Sequence, residues 1–241
     1  EYLMEDFFYA GGLRALMVEL GDKLDLSVTT VTGKTLGECV KGAKNYNSDV
    51  IRTLGNPVYH EGSLAVLKGN LAPDGAVIKP AAMDPKFQKH RGPAIVANSY
   101  SELKEIINDE NYPITADHIL VLRNAGPKGG PGMPEWGMIP MPKALLKQGH
   151  RDMIRLSDAR MSGTSYGACI LHVAPEAYIG GPLALIKNGD IIEVDIPERK
   201  LNVDISENEL SNRREKWKEP EPRYERGYGY IYSKHIEQAD K

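Results

Sequence analysis

The sequence predicts an α/β protein whose core is a β-barrel with flanking helices. From about Ser63 to Ile205, short runs rich in β-branched and aliphatic residues are separated by Gly, Pro and Asn turns, which is the pattern of strands. So many strands in one segment favour a closed or nearly closed sheet. Helix-capping motifs punctuate the region and predict the helices. The nine candidate strands are SLAVL, GAVIK, AIVAN, HILVL, DMIRL, ILHV, LALIK, DIIEVDI and KLNVDI.

The amino-terminal stretch predicts short helices. Apolar residues between Tyr2 and Leu24 recur at helical spacing, and Gly11-Gly12 interrupts them, so two helices are expected there. Thr35-x-x-Glu38 has the form of a capping box, in which each side chain binds the other residue's backbone N–H. It predicts the start of a further helix.

Local signals also place helices and turns within and after the strand-rich region. Ser99-x-x-Glu102 predicts a helix over LKEII, and IPMPKALLKQG predicts another that ends at Gly149. Asn188-Gly189, between LALIK and DIIEVDI, predicts a two-residue hairpin, because a type I′ turn requires positive φ at both central positions. Ser206-x-x-Glu209 caps a last helix, and the tyrosine-rich tail behind it is expected to pack on a neighbouring surface.

Composition excludes several function classes. The net charge is −3, and the 30 Lys and Arg residues are scattered, so nucleic acid is not expected as a partner. No apolar run approaches the roughly 18 to 20 residues of a membrane helix, and a secretory leader pattern is missing, so a cytoplasmic protein without a membrane partner is expected. Cys39 and Cys169 lie far apart and encode neither a disulfide framework nor a complete zinc or iron–sulfur ligand set.

Two glycine-rich stretches are candidate functional loops. Ala125–Pro142 follows the run HILVL, and it is neither a Walker loop nor a dinucleotide-binding fingerprint. Its single carboxylate, Glu135, is either a solvated loop glutamate or one ligand of a Mg²⁺ ion whose other ligands come from elsewhere.

The second stretch, SDARMSGTSYG at 157–167, crowds small hydroxyl residues around Arg160. An ordinary surface turn is one interpretation, and a loop that lets a ligand approach closely is the other. Arg160 either binds a substrate carboxylate or pairs with Asp158. Nearby, His172 is expected to be a hydrogen-bonded core histidine rather than a proton shuttle, and Cys169 a small buried hydrophobe.

The blocks GNLAPDGAVIKP, GGPGMPEWG, LSDARMSGTSYG, HVAPEAYIGGPLALIKNGDIIEVDIPERKL and ELSNRREKW occur in this order along the chain. Together they resemble the carboxy-terminal part of the dihydroxy-acid and sugar-acid dehydratases, the family that includes 6-phosphogluconate dehydratase. Members are about twice as long, and the resemblance implies that a missing amino-terminal domain supplies the iron–sulfur cysteines and most magnesium ligands. The isolated chain is therefore expected to be inactive. The expected segments are the helical end of that domain (1–54), a swivelling-type β-barrel catalytic domain (55–206), and a helix with a tyrosine-rich tail (207–241).

The resemblance implies dehydration of a 2,3-dihydroxy sugar acid to a 2-keto-3-deoxy acid by a homo-oligomeric hydro-lyase that uses an iron–sulfur cluster and Mg²⁺. By matching motif, Glu135 corresponds to a magnesium ligand, Ser162 to the proposed base and Thr164 to a neighbouring catalytic threonine. Many branched-chain members read D-G-R-F-S-G-G where this chain reads DARMSGT, so Ala159, Met161 and Thr164 favour the sugar-acid branch. The alternatives are a branched-chain dihydroxy-acid dehydratase, a non-catalytic ligand-binding module, and a swivelling subunit of an aconitase-type isomerase.

Ser162 needs strong electrostatic help if it is to act as a base. A metal lowers the pKa of bound water from ~15.7 to ~7, which is about 12 kcal/mol, and an alcohol requires a comparable change. A helix N-terminus contributes at most ~2 kcal/mol. A divalent ion ~4 Å away contributes about 8 kcal/mol at an effective dielectric constant near 20. Ser162 therefore requires direct metal contact or several positive groups together.

Overall fold

A computed structural model describes residues 1–131, 139–163 and 165–241, and the chain forms two compact units, Glu1–Gly62 and Ser63–Lys241. The first unit contains the predicted helices. The capping box is formed as expected, because Thr35 Oγ1 accepts from the Glu38 amide at 3.1 Å and Glu38 Oε2 accepts from the Thr35 amide at 2.8 Å. The helices are α1 (Met4–Tyr9), α2 (Gly12–Leu20) and α3 (Leu36–Val40).

The second unit is an eight-stranded sheet in the order β1-β2-β6-β5-β4-β3-β7-β8. Lys68, just after β1, pairs with β8: its N–H donates to Arg199 O and its carbonyl accepts from Leu201 N, both at 2.9 Å. This pairing joins the two ends of the sheet into a nearly closed barrel, which confirms the predicted fold class. The strands are β1 (Ala65–Leu67), β2 (Gly75–Ile78), β3 (Lys89–Ala97), β4 (Ile119–Leu122), β5 (Arg155–Ser157), β6 (Cys169–Ala174), β7 (Ile191–Asp195) and β8 (Lys200–Val203).

Four neighbouring strands, β3 to β6, run parallel, so their carboxyl ends lie at one edge of the sheet. α4 (Tyr100–Asn108) connects β3 to β4, and α5 (Lys143–Lys147) lies between β4 and β5. The predicted caps hold, because Ser99 Oγ accepts from Glu102 N at 3.2 Å and Gly149 ends the second of these helices with a φ of 86°. In open parallel sheets, ligands bind at the carboxyl edge.

The predicted strand LALIK and its Asn188-Gly189 hairpin are wrong. Pro182–Leu185 forms a 3₁₀ helix, because Pro182 fixes φ and offers no N–H to a ladder. Asn188 Oδ1 accepts from Val96 N at 2.7 Å, and Gly189 N donates to Ala94 O at 2.9 Å, so this turn pairs with β3. β7 consequently forms its hairpin with β8.

The carboxy-terminal part adds α6 (Glu207–Lys216) and α7 (Gly227–His235). Ser206 Oγ caps α6 through the Glu209 amide at 3.2 Å, as predicted. The segment beyond α6 contacts the barrel, since the Tyr178 hydroxyl donates to Glu221 O at 2.9 Å. Across the described ranges, every helix is too short or too polar to cross a membrane.

A buried ion pair lies at the amino end of β5. Arg155 and Asp152 are 3 % and 4 % exposed, and Arg155 Nη2 lies 3.0 Å from Asp152 Oδ1. The same guanidinium donates to Ile139 O at 2.8 Å and Tyr166 O at 2.9 Å, and Asp152 accepts from Ala168 N at 2.9 Å. A buried charge is stable only if its hydrogen-bonding groups are all paired, and removal of one partner costs about 3–5 kcal/mol.

Gly167 tests how tightly the ion pair is enclosed. Its φ is 82°, and a Cβ at this position would overlap Arg155 Nη2 and Asp152 Oδ1. Gly189 has a similar φ of 86° with open space around it, so Gly189→Ala is a matched control. We expect Gly189→Ala to lower the free energy of unfolding by about 1–2 kcal/mol, the cost of the left-handed conformation. Gly167→Ala is expected to cost about 3 kcal/mol or more, and equal losses in urea unfolding would contradict the tight enclosure.

Candidate active site

Both predicted loops leave the same edge of the barrel from adjacent strands. The stretch with Glu135 follows β4, and the stretch with Ser162 and Thr164 follows β5. Glu135 and Thr164 lie outside the described residues, whereas Ser162 and Arg160 lie within them. The described ends of both loops show how they are held.

Asp158 joins the starts of the two loops. Its carboxylate is fully buried and accepts hydrogen bonds from Asn124 N at 3.2 Å, Ala125 N at 2.9 Å and Ala177 N at 2.9 Å. Burial raises the pKa of Asp158 to about 6, although the backbone donors act in the opposite direction. One side chain thus connects the ends of β4, β5 and β6.

Glu176 holds the loop after β4 a few residues further on. Its buried carboxylate accepts from Lys128 N and Gly129 N, each at 2.9 Å. Gly126 allows this approach, because a Cβ there would lie 2.6 Å from Glu176 Oε2. Gln238 in the tail completes the contact, donating from Nε2 to Glu176 Oε1 at 2.7 Å and accepting from Glu176 N at 2.9 Å.

His172 holds the loop after β5 from a bulge in β6. Gly75 pairs with Ala174 and Val77 with Leu171, so β6 has one residue more than β2 across this interval. His172 has a φ of 55°, unusual for a residue other than glycine, and its N–H donates to Ala159 O at 3.0 Å.

The His172 ring faces the backbone beside Ser162. Its Nε2 accepts from Met161 N at 2.9 Å, so the ring is neutral with its proton on Nδ1. Burial, followed by the charge of Arg160, lowers the pKa of His172. The structure therefore shows the expected hydrogen-bonded histidine, and its partner is the loop that contains Ser162.

Lys79, at the end of β2, contacts the predicted base residue directly. Its Nζ donates to Ser162 O at 3.1 Å and to Gly163 O at 3.0 Å. Lys79, Ser162 and His172 line one cavity of about 660 Å³, whose wall is otherwise mostly apolar. The spacing of residues along the sequence did not indicate Lys79; the only available signal was its place in the block GNLAPDGAVIKP.

Arg160 lies on the other side of His172. It lines an adjacent cavity of about 540 Å³ together with Pro127 and tail residues from His235 onward. The proposed pairing with Asp158 is not formed within the described residues, where Asp158 is held by backbone amides. Arg160 as a ligand for a substrate carboxylate stays a prediction.

The described residues do not form a metal or cluster site. Within them, no group of three or more His, Cys, Asp or Glu side chains is arranged to hold a metal ion. Cys169 is 2 % exposed, its Sγ donates to Tyr166 O at 3.4 Å, and burial raises the pKa of its thiol, so it does not fit a thiolate ligand. The prediction that it is a small buried residue is confirmed.

The raised pKa of Asp158 predicts an unusual pH dependence of stability. The folded protein holds the Asp158 proton more tightly than the unfolded chain, so its stabilising contribution is fully present below about pH 3.8 and is lost as pH rises through about 6. The difference in unfolding free energy between the wild type and Asp158→Asn should fall by up to about 3 kcal/mol across this window. Asp117→Asn, at an exposed carboxylate, is the control. A constant difference between wild type and Asp158→Asn in urea titrations from pH 4 to 7.5 would contradict the assignment.

Comparison with known proteins identifies the family. The family model for the dihydroxy-acid/6-phosphogluconate dehydratase C-terminal domain matches residues 49–241. The chain is 48% identical over 242 residues to the 6-deoxy-6-sulfo-D-gluconate dehydratase of Pseudomonas putida, covering 99% of this chain and 42% of that protein. It is 46% identical over 242 residues to the L-arabinonate dehydratase of Rhizobium leguminosarum bv. trifolii, covering 100% of this chain and 42% of that protein.

A third relative is a dihydroxy-acid dehydratase. The dihydroxy-acid dehydratase of Caldanaerobacter subterraneus subsp. tengcongensis is 44% identical over 244 residues, covering 100% of this chain and 43% of that protein. The chain thus spans less than half the length of these relatives. It belongs to the dihydroxy-acid/6-phosphogluconate dehydratase family and corresponds to the carboxy-terminal part of its members.

Proposed function

We propose that this chain is the catalytic barrel of a dehydratase that converts a 2,3-dihydroxy sugar acid to a 2-keto-3-deoxy acid. The observation that supports this most is the placement of Ser162. It lies on a loop held by Lys79 and His172, beside a cavity of about 660 Å³, and this loop starts at the same sheet edge as the stretch whose sequence includes Glu135.

The proposed chemistry removes one molecule of water. The C2 proton passes to Ser162, hydroxide leaves C3, and the resulting enol tautomerises to the 2-keto acid. An iron–sulfur cluster and Mg²⁺ would supply Lewis acidity toward the substrate oxygens. In this proposal, Glu135 is one ligand of Mg²⁺, and the other magnesium ligands and the cluster cysteines belong to a domain that precedes this barrel.

The residues of this chain bind and orient the substrate. Arg160 is proposed to bind the substrate carboxylate, since a guanidinium matches a carboxylate with two parallel hydrogen bonds. Thr164 is proposed to act next to Ser162. The cavity is roomy enough for a polyhydroxy acid, because small-molecule sites are typically about 300–1,000 Å³.

Ser162→Ala in the full-length protein, reconstituted with cluster and Mg²⁺, tests the proposed base. Turnover of sugar acids, followed by formation of the 2-keto-3-deoxy product, should fall by about 10²–10⁴-fold, because a positioned general base contributes that much. Ser101→Ala, at an exposed position of α4, is the control and should retain activity. Equal turnover by Ser162→Ala and wild type would refute the role and favour a non-catalytic module.

Glu135→Gln tests the proposed magnesium ligand. The Mg²⁺ concentration for half-maximal activity should rise at least about tenfold, because a hard cation binds a neutral amide more weakly than a carboxylate. Glu105→Gln, at an exposed position of α4, should leave the requirement unchanged. An unchanged requirement in Glu135→Gln would argue against Glu135 as a ligand.

A branched-chain substrate is the second candidate. It is favoured by the 44% identity to a dihydroxy-acid dehydratase. By the resemblance, Ala159, Met161 and Thr164 favour the sugar-acid branch, because many branched-chain members read D-G-R-F-S-G-G where this chain reads DARMSGT. Parallel assays with sugar acids and 2,3-dihydroxy branched-chain acids separate the two candidates.

A further inference from the structure

The loop with Ser162 is held at its middle and at its far end by the segment that follows β2. Lys79 donates to Ser162 O and Gly163 O, and Gly167 N donates to Ala82 O at 2.9 Å. Pro80 begins the short 3₁₀ helix between these contacts and restricts Lys79 to extended backbone, observed at φ −103° and ψ 92°. The backbone that carries the Lys79 side chain is therefore restricted to an extended conformation.

These two hydrogen bonds place a positive charge close to the Ser162 hydroxyl. Nζ lies 3.1 Å from the carbonyl oxygen of Ser162, and the hydroxyl is a few covalent bonds from that oxygen. Covalent geometry thus keeps Nζ within about 7 Å of Oγ. At this distance, a cation stabilises an anion more than it stabilises the neutral alcohol.

Other charged groups around the cavity do not replace this contact. Lys68, Asp74 and Asp240 also line it, and Asp240 pairs with Lys241 at 3.0 Å. His172 is held neutral by the Met161 amide. Among the described residues lining this cavity, Lys79 is the cation whose hydrogen bonds reach the backbone of Ser162 itself.

We propose that Lys79 is a positioning residue that lowers the proton affinity of the Ser162 hydroxyl by holding an ammonium group against its backbone. The inference rests on the proposed function, in which Ser162 accepts a proton. Lys79 supplies a part of the required shift, since at ~7 Å and an effective dielectric constant near 20 a unit charge moves a pKa by roughly 1–2 units. The rest of the pKa shift that Ser162 requires must come from groups that do not line this cavity.

A thiol at position 162 tests the electrostatic effect without turnover. Three full-length proteins are compared, each with Ser162→Cys: one keeps Lys79, one also has Lys79→Gln, and one also has Lys79→Arg. The rate at which the thiol at position 162 is alkylated is measured by mass spectrometry over a range of pH. Gln keeps a hydrogen-bond donor without charge, and Arg keeps the charge. We expect Lys79→Gln to raise the thiol pKa by about one unit and slow alkylation at pH 7 about tenfold. Lys79→Arg should stay near the parent value.

An unchanged thiol pKa in Lys79→Gln, or equal values in the Gln and Arg variants, overturns the proposal. Lys79→Met gives the same comparison if the Gln variant fails to fold. In the Ser162 enzyme, the acidic limb of the pH–kcat profile should move to higher pH in Lys79→Gln and return in Lys79→Arg. A purely structural role would lower kcat without moving this limb. Failure of the proposed function is distinguishable, because active Ser162→Ala protein refutes the base whatever the thiol titration shows.

Discussion

The buried guanidinium of Arg155, at the amino end of β5, is the interaction on which the return of both glycine-rich loops to the barrel depends. It satisfies Asp152 and donates to Ile139 O and Tyr166 O, the points where the two glycine-rich loops return to the core. A charge removed from water must have hydrogen-bond partners for all its polar atoms. A shift of either loop end would therefore leave a buried polar group without its partner. The starts of the loops are fixed in the same manner by Asp158 and Glu176, which accept backbone amides.

This framework explains how loops of small residues can hold a precise arrangement. Gly, Ser and Thr side chains provide little packing, so the order comes from buried polar partners on neighbouring strands. The bulge in β6 turns His172 toward Met161, and the end of β2 brings Lys79 to Ser162. Two elements far apart in sequence thus hold one short segment in place beside a cavity.

Hydrogen bonds between residues close together in the sequence were predicted correctly, whereas contacts between distant residues were not. The capping box at Thr35 and the caps at Ser99 and Ser206 formed as predicted, because each partner lies three residues away in the sequence. The LALIK strand was wrong although its residues suit a strand, because Pro182 begins a 3₁₀ helix there, and the hairpin was wrong because Asn188 binds β3. The alternative of an Arg160–Asp158 pair failed for a related reason: Asp158 satisfies backbone amides that the sequence does not reveal.

The sequence by itself determined the α/β barrel, most of its helices and strands, the family, and the two loops that hold the proposed site residues. Only the tertiary structure decided which groups hold those loops. Lys79 lies 83 residues from Ser162, and Glu176 lies 48 residues from Lys128. Such contacts arise from strand order and from the need to satisfy buried polar groups, and neither leaves a periodic or short-range pattern along the chain.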